Sequence, residues 1–266
     1  SLIEDLTRHM WGNEWLESKS IIDKCPDMLR FPLTYFGDTA LHVAARKSSL
    51  EIVKELVKRM RRKDMIIPNS SGDTALHLAA SEGRGEIVRE LVKRMRPEDM
   101  LIQNSDGNTA LHLAVSEGRD EIVKELVKRM RPEDMLIQNS SRDTALHQAV
   151  KRGILEIVNE LVNRMRPEDM LIENSSGDTA LHIAVRESSY DFVNELVKRM
   201  RPEDMLIPNS SGDIAIDLAL KRGILEIVKV LAKRMKPEDI NFLLDVVIDL
   251  KDIERLFMMT IRFDMF

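Results

Sequence analysis

Apolar residues along most of this chain fall into two alternating groups. Between Gly72 and Asp106 a short run at Ala75, Leu76, Leu78, Ala79 and Ala80 is followed by Ile87, Val88, Leu91, Val92 and Met95, with Arg89, Glu90, Lys93 and Arg94 between them. The second group has the 3.6-residue period of a helix with one face in a core. Thr74 stands just ahead of the first group, where its hydroxyl can cap a short helix, and Gly83 closes it. Glu90 four residues before Arg94 is a favourable ion-pair order within the second helix. Pro97 turns Arg96 away from helical geometry, and Asn104-Ser105-Asp106-Gly107 is a turn signal. The pattern predicts helix, helix, turn.

The same pattern returns every 35 residues. Thr-Ala-Leu-His recurs at Thr39–His42, Thr74–His77, Thr109–His112, Thr144–His147 and Thr179–His182, and a sixth unit, Gly212 to Val246, keeps the register with Ile214, Ala215, Ile216 and Asp217 in its place. A period of this length marks a solenoid, whose units bury their apolar sides only by stacking on their neighbours. Ile3 to Asn13 and Glu14 to Arg30 read as a divergent first helix pair, with Pro26-Asp27-Met28-Leu29 as a shortened version of the joint Pro97-Glu98-Asp99-Met100-Leu101.

Thr-Ala-Leu-His-x-Ala in five units, followed by Glu-Ile-Val-x-Glu-Leu-Val in four of them and by Asp191-Phe192-Val193 in the fifth, resembles the ankyrin-repeat family, whose signature is T-P-L-H-x-A. The resemblance implies an all-α repeat solenoid of paired antiparallel helices joined by β-turn or hairpin-like loops. It implies residues 1–36 as a degenerate N-terminal capping repeat, 37–246 as six ankyrin repeats, and 247–266 as the end of a degenerate C-terminal capping repeat whose first helix begins near 242. Ala replaces the signature Pro at the first helical position, at little cost because Ala is the best helix former. The unit is about two residues longer than the common 33, and the extra length is expected at Met95 to Asp99, extending the second helix. The longer unit with its Pro-Glu-Asp-Met-Leu joint resembles the ankyrin domains of plant membrane-linked defence proteins. That likeness implies a cytoplasmic chain, as the cytosolic part of a membrane-linked protein in those relatives.

Composition narrows function by exclusion. A formal net charge of -5 with 32% charged residues argues against a nucleic-acid binder, which needs a basic balance. The single Cys25 excludes internal disulfides and fits a reducing compartment, or sets no constraint at all. No run approaches the roughly 18 apolar residues of a membrane span, and Glu4, Asp5 and Arg8 interrupt what would be the apolar core of a signal peptide.

His42, His77, His112, His147 and His182 suggest metal chemistry, but equivalent positions on stacked helices lie roughly 8–10 Å apart, whereas zinc needs its ligands within about 2 Å. Each imidazole is expected instead to tie a helix start to the neighbouring turn, as in the ankyrin family. Acidic pairs such as Glu98-Asp99 recur in the next unit, whereas catalysis needs a one-off constellation. The expectation is no enzyme, cofactor, metal or small-molecule substrate. The methionine rows, Met60 to Met235 and Met65 to Met205, read as core.

Where near-identical units differ, function can reside. Variation falls at the end of helix one: Arg46 and Lys47, Ser81 and Glu82, Ser116 and Glu117, Lys151 and Arg152, Arg186 and Glu187, Lys221 and Arg222. In ankyrin folds this row and the turn tips, here including Asp73, Asp106, Asn108, Asp143 and Asp178, line the concave partner-binding face. The row changes sign from unit to unit, which suits a charged protein partner. Arg142 in place of a turn Gly, and Gln148 in place of Val, Leu or Ile, suggest a local distortion or a partner contact in the fourth unit. The basic run Lys58, Arg59, Arg61, Arg62 and Lys63 reads as a solvated face or a contact for acidic lipid or protein. Two alternatives stand beside a binding scaffold. One is a structural or homo-oligomeric element using the apolar stretch Leu256 to Phe266, and the other is an engineered, consensus-like scaffold.

Overall fold

The computed structural model describes residues 1–239. Its helices are α1 (Leu2–Trp11), α2 (Trp15–Lys24), α3 (Ala40–Arg46), α4 (Leu50–Arg59), α5 (Arg62–Met65), α6 (Ala75–Ser81), α7 (Gly85–Val92), α8 (Ala110–Ser116), α9 (Asp120–Val127), α10 (Ala145–Arg152), α11 (Leu155–Val162), α12 (Ala180–Arg186), α13 (Tyr190–Val197), α14 (Ala215–Lys221) and α15 (Leu225–Arg234). Among the described residues there is no strand, so the fold is an all-α repeat solenoid. The expected last helix pair and the apolar stretch Leu256 to Phe266 lie outside the described residues.

The chain divides into two compact units that part between Leu161 and Val162. In the first, α3, α6, α8 and α10 stack in an inner row while α4, α7 and α9 stack in an outer one, and α1 closes the inner row against α3. In the second, α12 stacks on α14 and α13 on α15. The apolar stripe explains this layering: Ile87, Val88, Leu91 and Val92 are all buried, each contributing about 1.5–3 kcal/mol by leaving water. The second methionine row is core, with Met65, Met100, Met135, Met170 and Met205 at most 3% exposed, and so is the first apart from Met95, which is half-buried.

The extra length of the unit does not extend helix two. In the second repeat α7 ends at Val92, and Pro97–Leu101 forms a separate 3-10 turn. Pro97 holds Arg96 extended at φ -85° and ψ 160°, and the Asp99 carboxylate then accepts the Arg96 backbone N–H at 2.8 Å. Asp134, Asp169 and Asp204 repeat this cap. Each is buried. Burial alone would raise the Asp169 carboxyl, but the Arg166 guanidinium and backbone N–H outweigh it and hold it below the usual range.

Arg142 does not distort the fourth repeat. It adopts φ +57°, in the same left-handed region as Gly72 and Gly107 at the equivalent turns. The backbone keeps its path, and the strain stays in one residue.

Candidate functional site

Five inner helices, α3, α6, α8, α10 and α12, open with a reciprocal contact between threonine and histidine. The Thr74 backbone N–H donates to His77 Nδ1 at 3.1 Å, and the hydroxyl lies 2.9 Å from the same nitrogen. A backbone N–H can only donate, so Nδ1 accepts and the ring proton sits on Nε2. Nε2 donates to the carbonyl of the next turn: His42 to Asp73 at 2.8 Å, His77 to Asn108 at 3.0 Å, His112 to Asp143 at 3.1 Å, and His182 to Asp213 at 3.1 Å. The histidines therefore bind neighbouring repeats, as the sequence led us to expect. Burial lowers the pKa of His42, His77 and His182, and that of His112 to about 4. In the sixth repeat Asp217 accepts the Ile214 N–H in the same place, and its burial raises its pKa. Among the described residues no group of three or more His, Cys, Asp or Glu is placed to hold a metal ion.

A second ladder escaped the sequence reading. The turn asparagine accepts two backbone N–H groups with Oδ1, as Asn104 does from Asp106 and Asn108, and donates Nδ2 to the preceding repeat. Asn69 reaches Asp38, Asn104 reaches Asp73, Asn139 reaches Asn108, and Asn209 reaches Asp178, at 2.8–3.0 Å. Both partners stand in the sequence in every case, but only the stacking of turns shows that they meet.

These ladders change the standing of the candidate partner-binding residues. Asp143 and Asp178 are buried, 5% and 1% exposed, rather than displayed at turn tips. Each faces the basic residue eight positions on, Lys151 at 2.6 Å and Arg186 at 2.7 Å. Arg46 likewise reaches Asp38 at 3.5 Å and Glu82 at 3.7 Å, and Lys221 pairs with Asp213. Asp73 and Asn108, whose eighth residue is Ser81 or Ser116, take the asparagine of the next turn, as Asp38 and Asp178 do beside their ion pairs. The serine hydroxyls turn back onto their own helix, at the carbonyls of Leu78 and Leu113. Much of the row is thus already occupied within the chain.

The rest of the row faces solvent. Lys47 lies over the Trp11 ring at 4.8 Å, and Arg222 reaches the Ser188 hydroxyl at 3.1 Å. Glu117, Arg152 and Glu187 are exposed, as is Asp106 at its turn. Gln148 is half-buried, with a side-chain oxygen that finds no hydrogen-bond donor. The basic run of the first repeat is largely spoken for: Lys58 and Arg59 pair with Glu55, Arg61 with Asp64, and Arg62 with Asp99.

Among the described residues no helix is long and apolar enough to cross a membrane. Compared with known proteins, the chain matches the profile of the family described as "Ankyrin repeats (3 copies)" over residues 18–98, 92–169 and 165–242. Its structure is similar to the crystal structure of the ankyrin repeat domain of Bcl-3, a member of the IkappaB protein family. The TM-score is 0.73 over 86% of this chain and 97% of that one, at 23% sequence identity, so the likeness is one of fold. No curated protein sequence matches. The likeness to plant defence proteins gains no support from these matches.

Proposed function

This chain belongs to the ankyrin-repeat family, and from that premise we propose that it is a non-catalytic, cytoplasmic scaffold binding a protein partner through the ends of its inner helices. Ankyrin repeats in general mediate protein–protein interaction. The observation carrying the choice of face is the contrast within one row: His, Thr, Asn and the paired Asp residues are committed to the stack, while Glu117, Arg152 and Glu187 vary between repeats and stand exposed without an ion pair among the described residues. Charges already free need no broken ion pair when a partner arrives, so they steer association and select the partner by complementarity. Lys47, Glu82, Asp106 and Arg222 flank them. Arg46, Lys151, Arg186 and Lys221 act at one remove, by holding the turn aspartates.

Photo-crosslinking groups at positions 117, 152 and 187, used in cells, should trap one common protein. The charge reversals Glu117→Lys, Arg152→Glu and Glu187→Lys together should lower its capture at least tenfold with melting unchanged. Trapping confined to the outer helices, for instance at Lys93 and Lys128, with capture unaffected by the reversals, would overturn this choice of face.

A further inference from the structure

Four turn aspartates are each held by a cation eight residues further along the chain: Asp38 by Arg46 at 3.5 Å, Asp143 by Lys151 at 2.6 Å, Asp178 by Arg186 at 2.7 Å, and Asp213 by Lys221. Asp73 breaks the series. Its eighth residue is Ser81, and no cation pairs with it among the described residues. Asp73 Oδ1 accepts the Asn104 amide at 2.8 Å, just as Asp38 and Asp178 accept Asn69 and Asn209. Asp73 Oδ2 meets no donor, although this is the oxygen that the cation takes in Asp38, Asp143 and Asp178. Those three are at most 5% exposed, whereas Asp73 is half-buried. Ser81 is too short to reach it, and its hydroxyl turns back to the Leu78 carbonyl at 3.1 Å. The cations of this stretch are engaged elsewhere: Arg46 with Asp38 and Glu82, Arg84 with Glu82 at 3.5 Å, and Arg119 with the Ser81 carbonyl at 3.3 Å.

We propose that the partner protein supplies this cation: an arginine or lysine on a basic segment docks at Asp73, where Lys151 docks at Asp143. The inference rests on the protein-binding reading above and names the chemistry of the partner. Four repeats of the same chain show that a carboxylate at this turn accepts a basic side chain from the end of the inner helix, so the site is already shaped for one. A hydrogen bond between two charged groups is also stronger than one between neutral groups. The surrounding row favours the same sign. In the second and third repeats it holds Ser81, Glu82, Ser116 and Glu117 and no cation, and Glu117 and the nearby turn residue Asp106 are exposed without an ion pair among the described residues. Lys47 in the first repeat and Arg152 in the fourth border this stretch. A basic segment therefore meets opposite charge across two repeats and like charge beyond them, which sets its position along the row.

A short fluorescein-labelled peptide of alternating arginine and serine, read by anisotropy at low salt beside a glutamate–serine counterpart, tests this on the full chain. The two informative substitutions already occur within the protein: Ser81→Lys gives Asp73 the residue that Asp143 has, and Asp73→Asn copies Asn108. The wild type should bind the basic peptide and not the acidic one. Each variant should weaken that binding by roughly fivefold or more while keeping the wild-type circular dichroism. Ser116→Lys adds the same charge opposite the neutral Asn108 and should weaken it by less than about twofold. A wild type that does not bind the basic peptide overturns the proposal. So does a Ser116→Lys effect as large as that of Ser81→Lys, which would reduce the binding to net charge. A cellular partner trapped at positions 117, 152 and 187 whose capture is untouched by Ser81→Lys also overturns it, and leaves the choice of face standing. Trapping confined to the outer helices would instead remove the face, and this site with it.

Discussion

A neutral imidazole is a condition of the stack. His112 must accept at Nδ1 and donate at Nε2, and protonation would set a ring N–H against the Thr109 N–H that now points at it. Its folded pKa of about 4 lies below the ordinary 6.5, so between those values the unfolded chain binds more protons than the folded one. The stability this histidine lends is complete above pH 6.5 and is lost as pH falls towards 4, by up to about 3 kcal/mol. Urea midpoints at pH 7.5, 5.5 and 4.5 should fall in that order, and His112→Gln should flatten the slope. Arg142 supplies the opposite kind of residue effect. Arg142→Gly should raise stability by about 1 kcal/mol by relieving a left-handed backbone. Gly107→Ala, whose new Cβ would lie 2.7 Å from the Ser140 nitrogen, should lower it by more than that. Denaturant titration of both variants checks the pair.

The helix pair could be read from the chain because a 3.6-residue stripe has only one way to be buried, and Leu91 and Val92 lie where that stripe puts them. The 3-10 joint could not. Pro97 announces a stop, but the turn beyond it depends on Asp99 finding the Arg96 N–H and, at 2.7 Å, the Arg62 guanidinium of the preceding repeat. A residue copied into every unit carries no contrast by which to notice it. Asp99→Ala should cost about 2–4 kcal/mol, since it leaves a backbone donor and a guanidinium without their acceptor. Thermal melting read beside Glu98→Ala, an exposed neighbour, separates this from loss of charge alone. The ion pairs across eight residues were half visible. Asp143 with Lys151 and Asp178 with Arg186 stand against Asn108 with Ser116, but Asp73 with Ser81 breaks the pattern, so the sequence alone does not announce these pairs.

At the scale of the molecule, stability is a sum over repeats and the surfaces between them. Leu126→Ala in α9, 1% exposed in the wild type, should cost about 2–5 kcal/mol. Hydrogen exchange should then quicken first in the third repeat and in its stacking partner α7, before α1 and α2 are affected. The bonds that join repeats span a little less than one repeat at the histidines, whose imidazole contacts reach 31 residues ahead. This gives the structure a direction in time. On the ribosome, where synthesis runs from the N-terminus, His42 has no acceptor until Asp73 has emerged, and His77 none until Asn108 has. Each of these repeats is completed by the one made after it, so a nascent chain that stalls among them ends on an unfinished repeat, with an imidazole donor left to water at the growing edge.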